Sequence, residues 1–410
     1  MKIFVFNHYA IPPSQGGGTR HHSLARELIN RNHQVHIIAS SFNHSTLTDI
    51  CSYSHNESSK CIVEDKVPFI WIKTPPYRGN SLARIFNMLS YTFRVEDICR
   101  IHNIDKPDVV IGSSPHPFAA YAAARLSRKL NIPFILEIRD LWPATLVDLG
   151  KISTMHPFVI VLKKLESHLY RSSNKIITLL PGLFNYLKER QIEIEKIKYL
   201  PNGINFDLIP VPNLPSRRND FTIMYAGSHG MGDALESILD TAIILQKEGL
   251  GNTVKFRLIG DGPEKTKLQH IAAEKKINNV IFENPISKEN LYHVLQEADA
   301  FIITMRNSSL YKYGISFNKI FDYMASARPV LFFCSPNLYN NTVKEANAGL
   351  SVLAEDAHAM ADAIKKLLLM TSTERWEMGL RGRRFVEKNH NFKDIAIDLE
   401  HVLLDAIKSK

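Results

Sequence analysis

A lysine occupies an unusual place in the stretch YGISFNKIFDYMASARPVLFF, residues 313–333. Ser316 is a good helix N-cap, and the residues after it show the i, i+3, i+4, i+7 apolar spacing of a helix that begins near Phe317, namely Phe317, Ile320, Phe321 and Met324. Lys319 then falls in the first turn, where the backbone N–H groups already carry partial positive charge. Either the lysine reaches solvent or a nearby carboxylate, or lysine and helix N-terminus together bind an anion such as phosphate.

Two loops that follow predicted strands also carry residues suited to ligand binding. The stretch SQGGGTRHHSLAREL places three glycines, residues 16–18, before a predicted helix, and glycine lets backbone N–H groups approach a phosphate or a sugar. A plain strand-to-helix turn explains these glycines equally well, and the pattern is neither the dinucleotide motif nor a P-loop. The stretch LEIRDLWP places Glu137, Arg139 and Asp140 at the end of an apolar strand. Those charges either pair with one another or serve a ligand.

The elements that must position these residues alternate between strands and helices along almost the whole chain. The predicted strands of the first half are KIFVFN, HQVHIIAS, DVVIGSS, PFILEIRD, KIITLL and IKYLPNG. Those of the second half are FTIMYAGS, VKFRLIGDG, NVIFENPI, AFIITMR, PVLFF and GLSVL. Such alternation predicts an α/β fold, with parallel sheets covered by helices on both faces and ligands at the carboxyl ends of the strands.

The chain of 410 residues is long enough for two domains of roughly 200 residues each. A proline-rich stretch without a hydrophobic period, INFDLIPVPNLPSRRND, is the predicted linker. We predict one doubly wound, Rossmann-like domain over residues 1–204 and a second over residues 205–390, facing each other across a cleft. A helical tail over residues 391–410 is expected to pack back on the first domain.

Composition limits the classes of partner. Hydrophobic residues make up 45% of the chain and charged residues 22%, as in ordinary globular proteins. The start MKIFVFNHYA lacks the pattern of a signal peptide, and no apolar run approaches the roughly 20 residues that span a bilayer. The net charge of +9 suits anionic small molecules or an anionic membrane surface. Because the sequence has no zinc-finger spacing, no RNA-binding aromatic motif and no long arginine run, we expect no nucleic acid partner. The four cysteines show neither close pairing nor metal-ligand spacing, so we expect a protein of the reducing cytoplasm.

One stretch interleaves arginines with large apolar residues. YRGNSLARIFNMLSYTFRVEDICR, residues 77–100, has the pattern of a basic amphipathic helix. Two interpretations remain open at this point. The apolar side either packs on the helix's own domain or lies on an anionic membrane surface.

In their order and spacing, these motifs resemble the retaining GT-B glycosyltransferases of family 4 over nearly the whole chain. The resemblance rests on GGGTRHHSLAREL, EIRDLWP, LPNGIN, MYAGSHGMGDALESIL, LIGDGPEKTKL, FENPISKENLYHVLQEADAFIITM and the stretch around Lys319. GISFNKIFDYM is similar to GISPNKLFDYM in the bacterial amino-sugar transferases of surface-polysaccharide assembly. The resemblance implies transfer of an N-acetylated amino sugar or a related hexose from a UDP-sugar to a polyprenyl-diphosphate-linked acceptor. The reaction is then expected at the inner face of the cell membrane.

The resemblance also implies a donor site, from which this chain departs twice. Relatives carry a Glu, seven residues and a second Glu; here Gly314 and Asp322 hold these places. Asp322 is therefore expected to bind the ribose hydroxyls, while the sugar contact of the first Glu is missing. Relatives also place an Arg and a Lys on the donor phosphates, at positions that Ser228 and Asp233 occupy here. With that clamp absent, Lys319 is the expected counter-charge for the diphosphate.

The predicted site residues fall into three groups. Three are expected to act on the reacting groups, namely Lys319, Arg139 and His116. The expected donor contacts are Gly17, Gly18, Gly227, Ser228, Asn284, Ile286, Arg306, Lys312, Gly314, Ile315, Ser316, Asn318 and Asp322. The expected acceptor contacts are Gly16, Arg20 and Asp140.

The sequence shows no Asp-x-Asp pair at a strand end, so we expect neither a metal nor a cofactor. The leaving diphosphate would be stabilised by lysine, arginine and backbone dipoles. In the family that the chain resembles, the donor phosphate itself helps to take the acceptor proton. Two alternatives stay open: a GT-B nucleotide-sugar epimerase, or a catalytically silent carbohydrate- or lipid-binding relative. An epimerase would need paired carboxylates near the anomeric carbon, and the sequence identifies none. The silent relative is suggested by the loss of the first Glu and of the phosphate clamp.

Overall fold

The computed structural model describes residues 1–15, 18–44, 46–79, 81–148, 152–214 and 220–410. These residues form two compact units. Unit 1 comprises Met1–Asn202 together with Phe392–Lys410, and unit 2 comprises Gly203–Asn391. In this described part of the chain, no helix is both long and apolar enough to cross a membrane.

Unit 1 is built on a mainly parallel sheet. Its strands are β1 (Lys2–Phe6), β2 (Gln34–Ser40), β3 (Phe42–Asn43), β4 (Thr48–Asp49), β5 (Ser59–Glu64), β6 (Val67–Ile72), β7 (Val109–Ser113), β8 (Phe134–Ile138), β9 (Lys175–Thr178) and β10 (Ile197–Tyr199). The strand order over the described residues is β10-β9-β8-β7-β1-β2-β6-β5, with only the edge strand β5 antiparallel. β3 and β4 form a separate antiparallel pair. The sheet reverses its direction of winding between β1 and β7, and such a switch point is where ligands bind in open α/β sheets.

Helices cover both faces of this sheet. They are α1 (Arg20–Asn30), α2 (Leu82–Arg94), α3 (Ile98–Ile101), α4 (Pro117–Leu130), α5 (Ala144–Asp148), α6 (Pro157–Ser172) and α7 (Leu183–Lys188). α4 packs directly on β7 and lies between α2 and α6. The alternating predictions for this half are confirmed, because each predicted strand is present.

Unit 2 repeats the plan with a fully parallel sheet. Its strands are β11 (Phe221–Ala226), β12 (Val254–Ile259), β13 (Val280–Glu283), β14 (Ala300–Ile303), β15 (Val330–Cys334) and β16 (Gly349–Leu353). Its helices are α8 (Glu236–Lys247), α9 (Lys265–Glu274), α10 (Lys288–Leu295), α11 (Asn318–Ala325), α12 (Thr342–Glu345), α13 (Ala357–Leu369) and α14 (Ser372–Asn389). The order β13-β12-β11-β14-β15-β16 puts the switch point between β11 and β14.

The last helix, α15 (Phe392–Lys408), belongs to unit 1. Its buried residues, among them Phe392, Leu399 and Leu403, join the same core as β1 and β2. Polar contacts fix it further: Glu400 accepts hydrogen bonds from Arg31 Nε at 2.7 Å and pairs with His33 Nε2 at 2.6 Å. The chain thus closes unit 1 with its final helix after completing unit 2.

Three local predictions were wrong or incomplete. The hairpin of β5 and β6 was missed. The first part of the predicted linker is not a linker, because Ile204 and Ile209 are buried in the core of unit 2, while residues 215–219 lie outside the described part. The basic amphipathic stretch forms one helix only over Leu82–Arg94, followed by the separate short α3.

Candidate functional site

The N-terminus of α11 lies after β14, at the switch point of the unit 2 sheet. Phe317, not Ser316, occupies the N-cap position, so the predicted N-cap is wrong by one residue. Phe317 is half-buried against the core and supplies no capping side chain, while Ile320, Phe321 and Met324 are buried as predicted. Lys319 therefore lies in the first turn of α11, as the sequence predicted.

Lys319 does not reach solvent freely. Its Nζ lies 2.6 Å from the Tyr225 hydroxyl and 2.5 Å from Asp233 Oδ1, with 16% of the side chain exposed. Burial and the charge of Asp233 raise the pKa of Tyr225 well above its ordinary value, so this phenol stays neutral and can accept the bond. The Tyr225 hydroxyl in turn donates to the carbonyl of Ser228 at 2.6 Å. Of the alternatives that the sequence left open for Lys319, this structure shows the ion pair with a nearby carboxylate.

The loop after β11 approaches the same ammonium group. A Cβ added to Gly227 would stand 3.2 Å from Lys319 Nζ and Cε, so the backbone of Gly227 and the lysine head are close neighbours. Asp233 is positioned within this loop, because its Oδ2 accepts a hydrogen bond from the backbone N–H of Gly230 at 3.3 Å. One acidic and one basic group therefore meet beside a half-buried glycine loop.

Two contacts fix α11 and its neighbouring loops. The Tyr323 hydroxyl accepts from the Ala226 N–H at 2.6 Å and lies 3.1 Å from the Ala226 carbonyl, which ties α11 to the end of β11. Gly260, with φ at +146°, lies so close to Gly227 that a Cβ there would come within 1.9 Å of the Gly227 carbonyl oxygen. Only glycine fits this approach, which explains the LIGDG stretch after β12.

Asp322 is buried on the same helix and makes two strong contacts. Its Oδ1 accepts from Lys288 Nζ at 2.6 Å and from the Tyr292 hydroxyl at 2.7 Å, both on α10. The carboxylate is 8% exposed and the lysine 14% exposed. No hydrogen bond to Oδ2 is present among the residues that the structure describes, so one carboxylate oxygen keeps its acceptor capacity.

The other predicted donor residues differ in their surroundings. Arg306 forms ion pairs with Glu236 at 3.3 Å and with Glu355 at 3.5 Å, and 39% of its side chain is exposed. Lys312 is exposed and lies 5.0 Å from the centre of the Tyr313 ring. Ser228 and Asn284 are exposed loop residues. The half-buried ones are Ile286, Ile315, Ser316 and Asn318.

Gly314 has φ at +106°, a conformation that residues with a Cβ rarely adopt. This backbone explains why the position carries glycine, because a glutamate there would be strained.

In unit 1, Glu137 of the LEIRDLWP stretch has a structural role. This carboxylate is 3% exposed and receives Arg20 Nε at 2.9 Å, His21 Nε2 at 2.6 Å and Ser113 Oγ at 2.6 Å. Burial alone would raise the pKa of Glu137, but the charges and hydrogen bonds of His21 and Arg20 hold it well below its ordinary value. Glu137 is therefore an ionised anchor inside the carboxyl edge of the sheet.

The placement of Arg20 corrects its expected role as an acceptor contact. Its side chain is 1% exposed, and besides Glu137 it donates to the carbonyls of Leu200 and Pro201. Arg20 thus links α1 to the segment after β10 and has no open surface. Gly16 and Gly17 lie outside the described residues, whereas Gly18 lines a cavity of unit 1 and Asp140 is exposed.

His116 and Arg139 line that same cavity, which the structure forms beside the ends of β1 and β7. His116 is 1% exposed, and neither ring nitrogen has a hydrogen-bond partner in the described structure. Burial and, next, the charge of Arg84 lower the pKa of His116 to about 3. The imidazole is therefore neutral at physiological pH.

Comparison with protein families identifies both halves of the chain. Residues 15–203 match the family model described as "Glycosyl transferase 4-like domain", and residues 220–369 match "Glycosyl transferases group 1". The two matches fall one in each unit and together cover most of the chain. The chain is a glycosyltransferase.

Two curated relatives of this glycosyltransferase share about the same degree of similarity. The probable glycosyltransferase WbjE of Pseudomonas aeruginosa is 20% identical over 70% of this chain and 72% of its own length. The putative colanic acid biosynthesis glycosyl transferase WcaI of Escherichia coli K12 is 20% identical over 75% of this chain and 78% of its own length.

Solved structures show the same fold. Sucrose-phosphate synthase from Thermosynechococcus elongatus superposes with a TM-score of 0.76 at 15% identity, covering 100% of both chains. Anabaena HepE, solved in complex with UDP-glucose, gives a TM-score of 0.69 at 11% identity over 99% of this chain and 100% of its own. The two Rossmann-like units of this glycosyltransferase therefore form a GT-B fold.

Several residues of the candidate site were not found from the sequence. Lys288 and Tyr292 carry the contacts to Asp322, and Tyr225 carries one contact to Lys319. Asp233 was noted only as the replacement of a lysine. Its spacing from Lys319 along the chain gives no signal, because a parallel sheet brings together residues that are far apart in sequence. In the described part of the chain, no group of three or more His, Cys, Asp or Glu side chains could hold a metal ion.

Proposed function

We propose that the protein is a retaining glycosyltransferase that moves a hexose, specifically an N-acetylated amino sugar, from a UDP-sugar to a polyprenyl-diphosphate-linked saccharide. Two lines of support concern the pathway and the donor. WcaI is named for colanic acid biosynthesis, and HepE was solved with UDP-glucose. The amino-sugar preference rests on the similarity of GISFNKIFDYM to the amino-sugar transferases.

One observation carries this proposal: the ammonium group of Lys319 lies at the N-terminus of α11, directly beside the Gly227 backbone at the switch point of the unit 2 sheet. A diphosphate there would meet the lysine, the helix N-terminus and the loop backbone, all of which attract negative charge. Asp233 holds the lysine in the absence of donor. On donor binding, the phosphate oxygens would take over part of this ion pair.

The chemistry needs no protein nucleophile. In the proposed step the bond between the anomeric carbon and the diphosphate oxygen breaks, while the acceptor hydroxyl forms its bond on the same face. The acceptor proton passes to the departing phosphate. Lys319 would stabilise the charge that develops on the leaving oxygen, which is where preorganised charge lowers a barrier most effectively. Asp322 Oδ2 would accept a hydrogen bond from a ribose hydroxyl.

We also propose that the reaction needs no metal ion. The charge on the leaving diphosphate would be balanced by Lys319 and by backbone dipoles. Arg306 pairs with Glu236 and Glu355 as Lys319 pairs with Asp233, and it would add to this balance where the donor phosphates displace those carboxylates. Unit 1 would bind the acceptor through the cavity that His116 and Arg139 line.

The location of the enzyme on the inner face of the membrane is a further part of the proposal. Leu82, Phe86 and Phe93 on α2 are 74%, 66% and 64% exposed, whereas Met88 and Tyr91 on the same helix are buried. The helix thus packs on its own unit through one side and presents large apolar residues on another. With the exposed Arg78 and Arg94, these residues suit a peripheral contact with anionic lipid.

The direct test is to incubate the purified chain with radiolabelled UDP-N-acetylglucosamine, UDP-N-acetylgalactosamine and UDP-glucose, each with and without a polyprenyl-diphosphate-linked saccharide. We expect label on the lipid acceptor only when both substrates are present, with the anomeric configuration retained in the NMR spectrum of the product. UDP binding without any turnover would support the silent-relative alternative. Conversion of the UDP-sugar to an isomer without acceptor would support the epimerase.

A further inference from the structure

The cavity of unit 1 has a volume of about 280 Å³ and a composition unlike an ordinary apolar pocket. Tyr9 follows β1 and His116 follows β7, so the cavity lies at the switch point of the sheet. Two guanidinium groups line it, those of Arg84 and Arg139. The rings in its walls are those of Tyr9, His44, His116 and Trp142. Among the described lining residues there is no Asp and no Glu. The carboxylates of Glu137 and Asp140 lie outside this lining and interact electrostatically with Arg139, so the described cavity wall itself carries two guanidinium groups and no carboxylate.

Arg84 is held in place by aromatic neighbours. Its Nη2 donates to the Tyr9 hydroxyl at 3.2 Å, and its guanidinium lies 5.9 Å from the ring centres of both Tyr9 and Tyr77. A guanidinium fixed in this way loses little conformational freedom when it binds a carboxylate or a phosphate. It therefore supplies a preorganised cation at one wall of the cavity.

His116 gives evidence of a ligand that does not depend on the arginines. It is 1% exposed, and both of its ring nitrogens lack a hydrogen-bond partner among the described residues. Its ring packs edge-on against His8 at 4.8 Å and Tyr9 at 5.3 Å, which fixes its orientation. Buried polar atoms are nearly always satisfied, so unpaired nitrogens in a cavity wall indicate a partner that binds there. A neutral imidazole has one donor and one acceptor nitrogen, so it can form a hydrogen bond with a hydroxyl group.

We propose that this cavity recognises the acceptor through a sugar unit that carries an oxyanion, either a carboxylate or a phosphate. Arg84 and Arg139 bind the oxyanion, His116 bonds a ring hydroxyl, and the faces of Tyr9 and Trp142 cover the apolar face of the sugar. The cavity lies at the lower end of the size range of ligand sites, so it holds one monosaccharide rather than a longer chain. This inference rests on the proposed function, because it specifies the acceptor of that reaction.

The test measures binding directly, by calorimetry on the full chain with UDP at saturation so that sugar phosphates do not compete for the donor site. The four titrants are methyl glucuronide, glucose 1-phosphate, methyl glucoside and inorganic phosphate. We expect at least one acidic sugar to bind at least tenfold more tightly than both methyl glucoside and inorganic phosphate. Whichever acidic sugar binds identifies the oxyanion as carboxylate or phosphate. UDP binding, measured in the same way, tests the donor site separately.

Variants connect the binding to the cavity. Arg84→Gln should weaken binding of the acidic sugar at least tenfold, and Arg84→Lys should weaken it less. Arg128→Gln, at an exposed arginine of α4 outside the cavity lining, should leave the affinity unchanged. Thermal melting confirms that each variant is folded. If Arg84→Gln does not fold, the affinity of Arg84→Lys tests the proposal instead. Equal binding of neutral and acidic sugars would overturn the proposal. So would unaltered affinity in both Arg84 variants, inorganic phosphate binding as tightly as the sugars, or no binding of any sugar.

Discussion

A lysine in the first turn of a helix meets the partial positive charge of the unpaired N–H groups. In this protein the carboxylate of Asp233 offsets that cost, and the Tyr225 hydroxyl fixes the ammonium group from a second direction. The side chain is thus stable without ligand and is also positioned for one. An anion of higher charge than Asp233 can compete for the same group, which is the property expected of a diphosphate site.

Asp322 provides a prediction at this scale. Asp322→Asn should lower UDP affinity by roughly 1–3 kcal/mol, because a neutral amide is a weaker acceptor for a ribose hydroxyl and loses the charge pairing with Lys288. Isothermal titration with UDP measures the change. Asp362→Asn, at an exposed carboxylate of the same unit, is the matched control. Unchanged affinity in Asp322→Asn would remove this residue from the site.

Glu137 provides a prediction about stability and pH. Glu137→Gln should destabilise unit 1 by about 3–5 kcal/mol, because it leaves Arg20 buried without its counter-charge. The folded-state pKa of Glu137 is depressed, so its contribution is complete above the unfolded pKa of about 4.3 and declines as pH falls from there toward the folded pKa. Urea unfolding at pH 7 and pH 3.5 should therefore show a smaller difference from wild type at the lower pH.

The control for this series is Glu189→Gln, at an exposed residue of the same unit. It should differ from wild type by less than about 0.5 kcal/mol at either pH. A Glu137→Gln protein as stable as this control at pH 7 would show that the buried network is not a structural anchor.

At the scale of elements, apolar runs bounded by turn residues predicted the parallel strands other than β6, because strands buried on both faces are continuously hydrophobic. The β5–β6 hairpin was missed because both of its strands give a weak pattern. β5 is an edge strand with a half-exposed sequence, SKCIVE, and β6 carries Pro68 near its start, which weakens a strand pattern. The start of α11 was placed one residue early, since Ser316 fits the N-cap preference but Phe317 occupies the position. Helix ends depend on such local competition.

α2 carries the prediction that belongs to this scale. Replacing the exposed Arg78 and Arg94 together by Gln should reduce binding to anionic phosphatidylglycerol vesicles roughly 30-fold, at about 1 kcal/mol for each charge near the surface. Vesicle sedimentation at low salt measures this. Arg381→Gln with Arg384→Gln on α14 removes the same charge from another exposed helix and should have little effect. If both double variants sediment like wild type at every salt concentration, α2 only packs on its own unit.

At the scale of the whole molecule, the sequence was sufficient for the fold class and for the glycosyltransferase assignment. The contacts within the candidate site were not predictable, because they join residues far apart in the chain. Lys319 meets Asp233 across 86 positions, and Arg20 meets Glu137 across 117. The burial of Arg20 likewise depends on how α1 packs near the segment after β10. Composition and local pattern report which residues are available, whereas the tertiary fold decides which of them are already paired.

Metal independence is a prediction about the complete reaction. Turnover in excess EDTA should equal turnover in magnesium, because the proposed counter-charge comes from Lys319 and the helix N-terminus. The transfer rate is measured at saturating UDP-sugar and acceptor, before and after chelation. Loss of activity that magnesium or manganese restores would show that a divalent cation takes part.

The central claim is that Lys319 stabilises the leaving diphosphate, and the kinetics of Lys319→Ala test it most directly. The matched control is Lys366→Ala, at an exposed lysine of the same unit. Circular dichroism confirms that both variants are folded. For Lys319→Ala we expect kcat of sugar transfer to fall about 100-fold to 1000-fold, while the Kd of UDP rises less than tenfold, because the interaction strengthens as charge develops. Wild-type kcat in Lys319→Ala, or a loss of UDP affinity as large as the loss of kcat, would contradict the account.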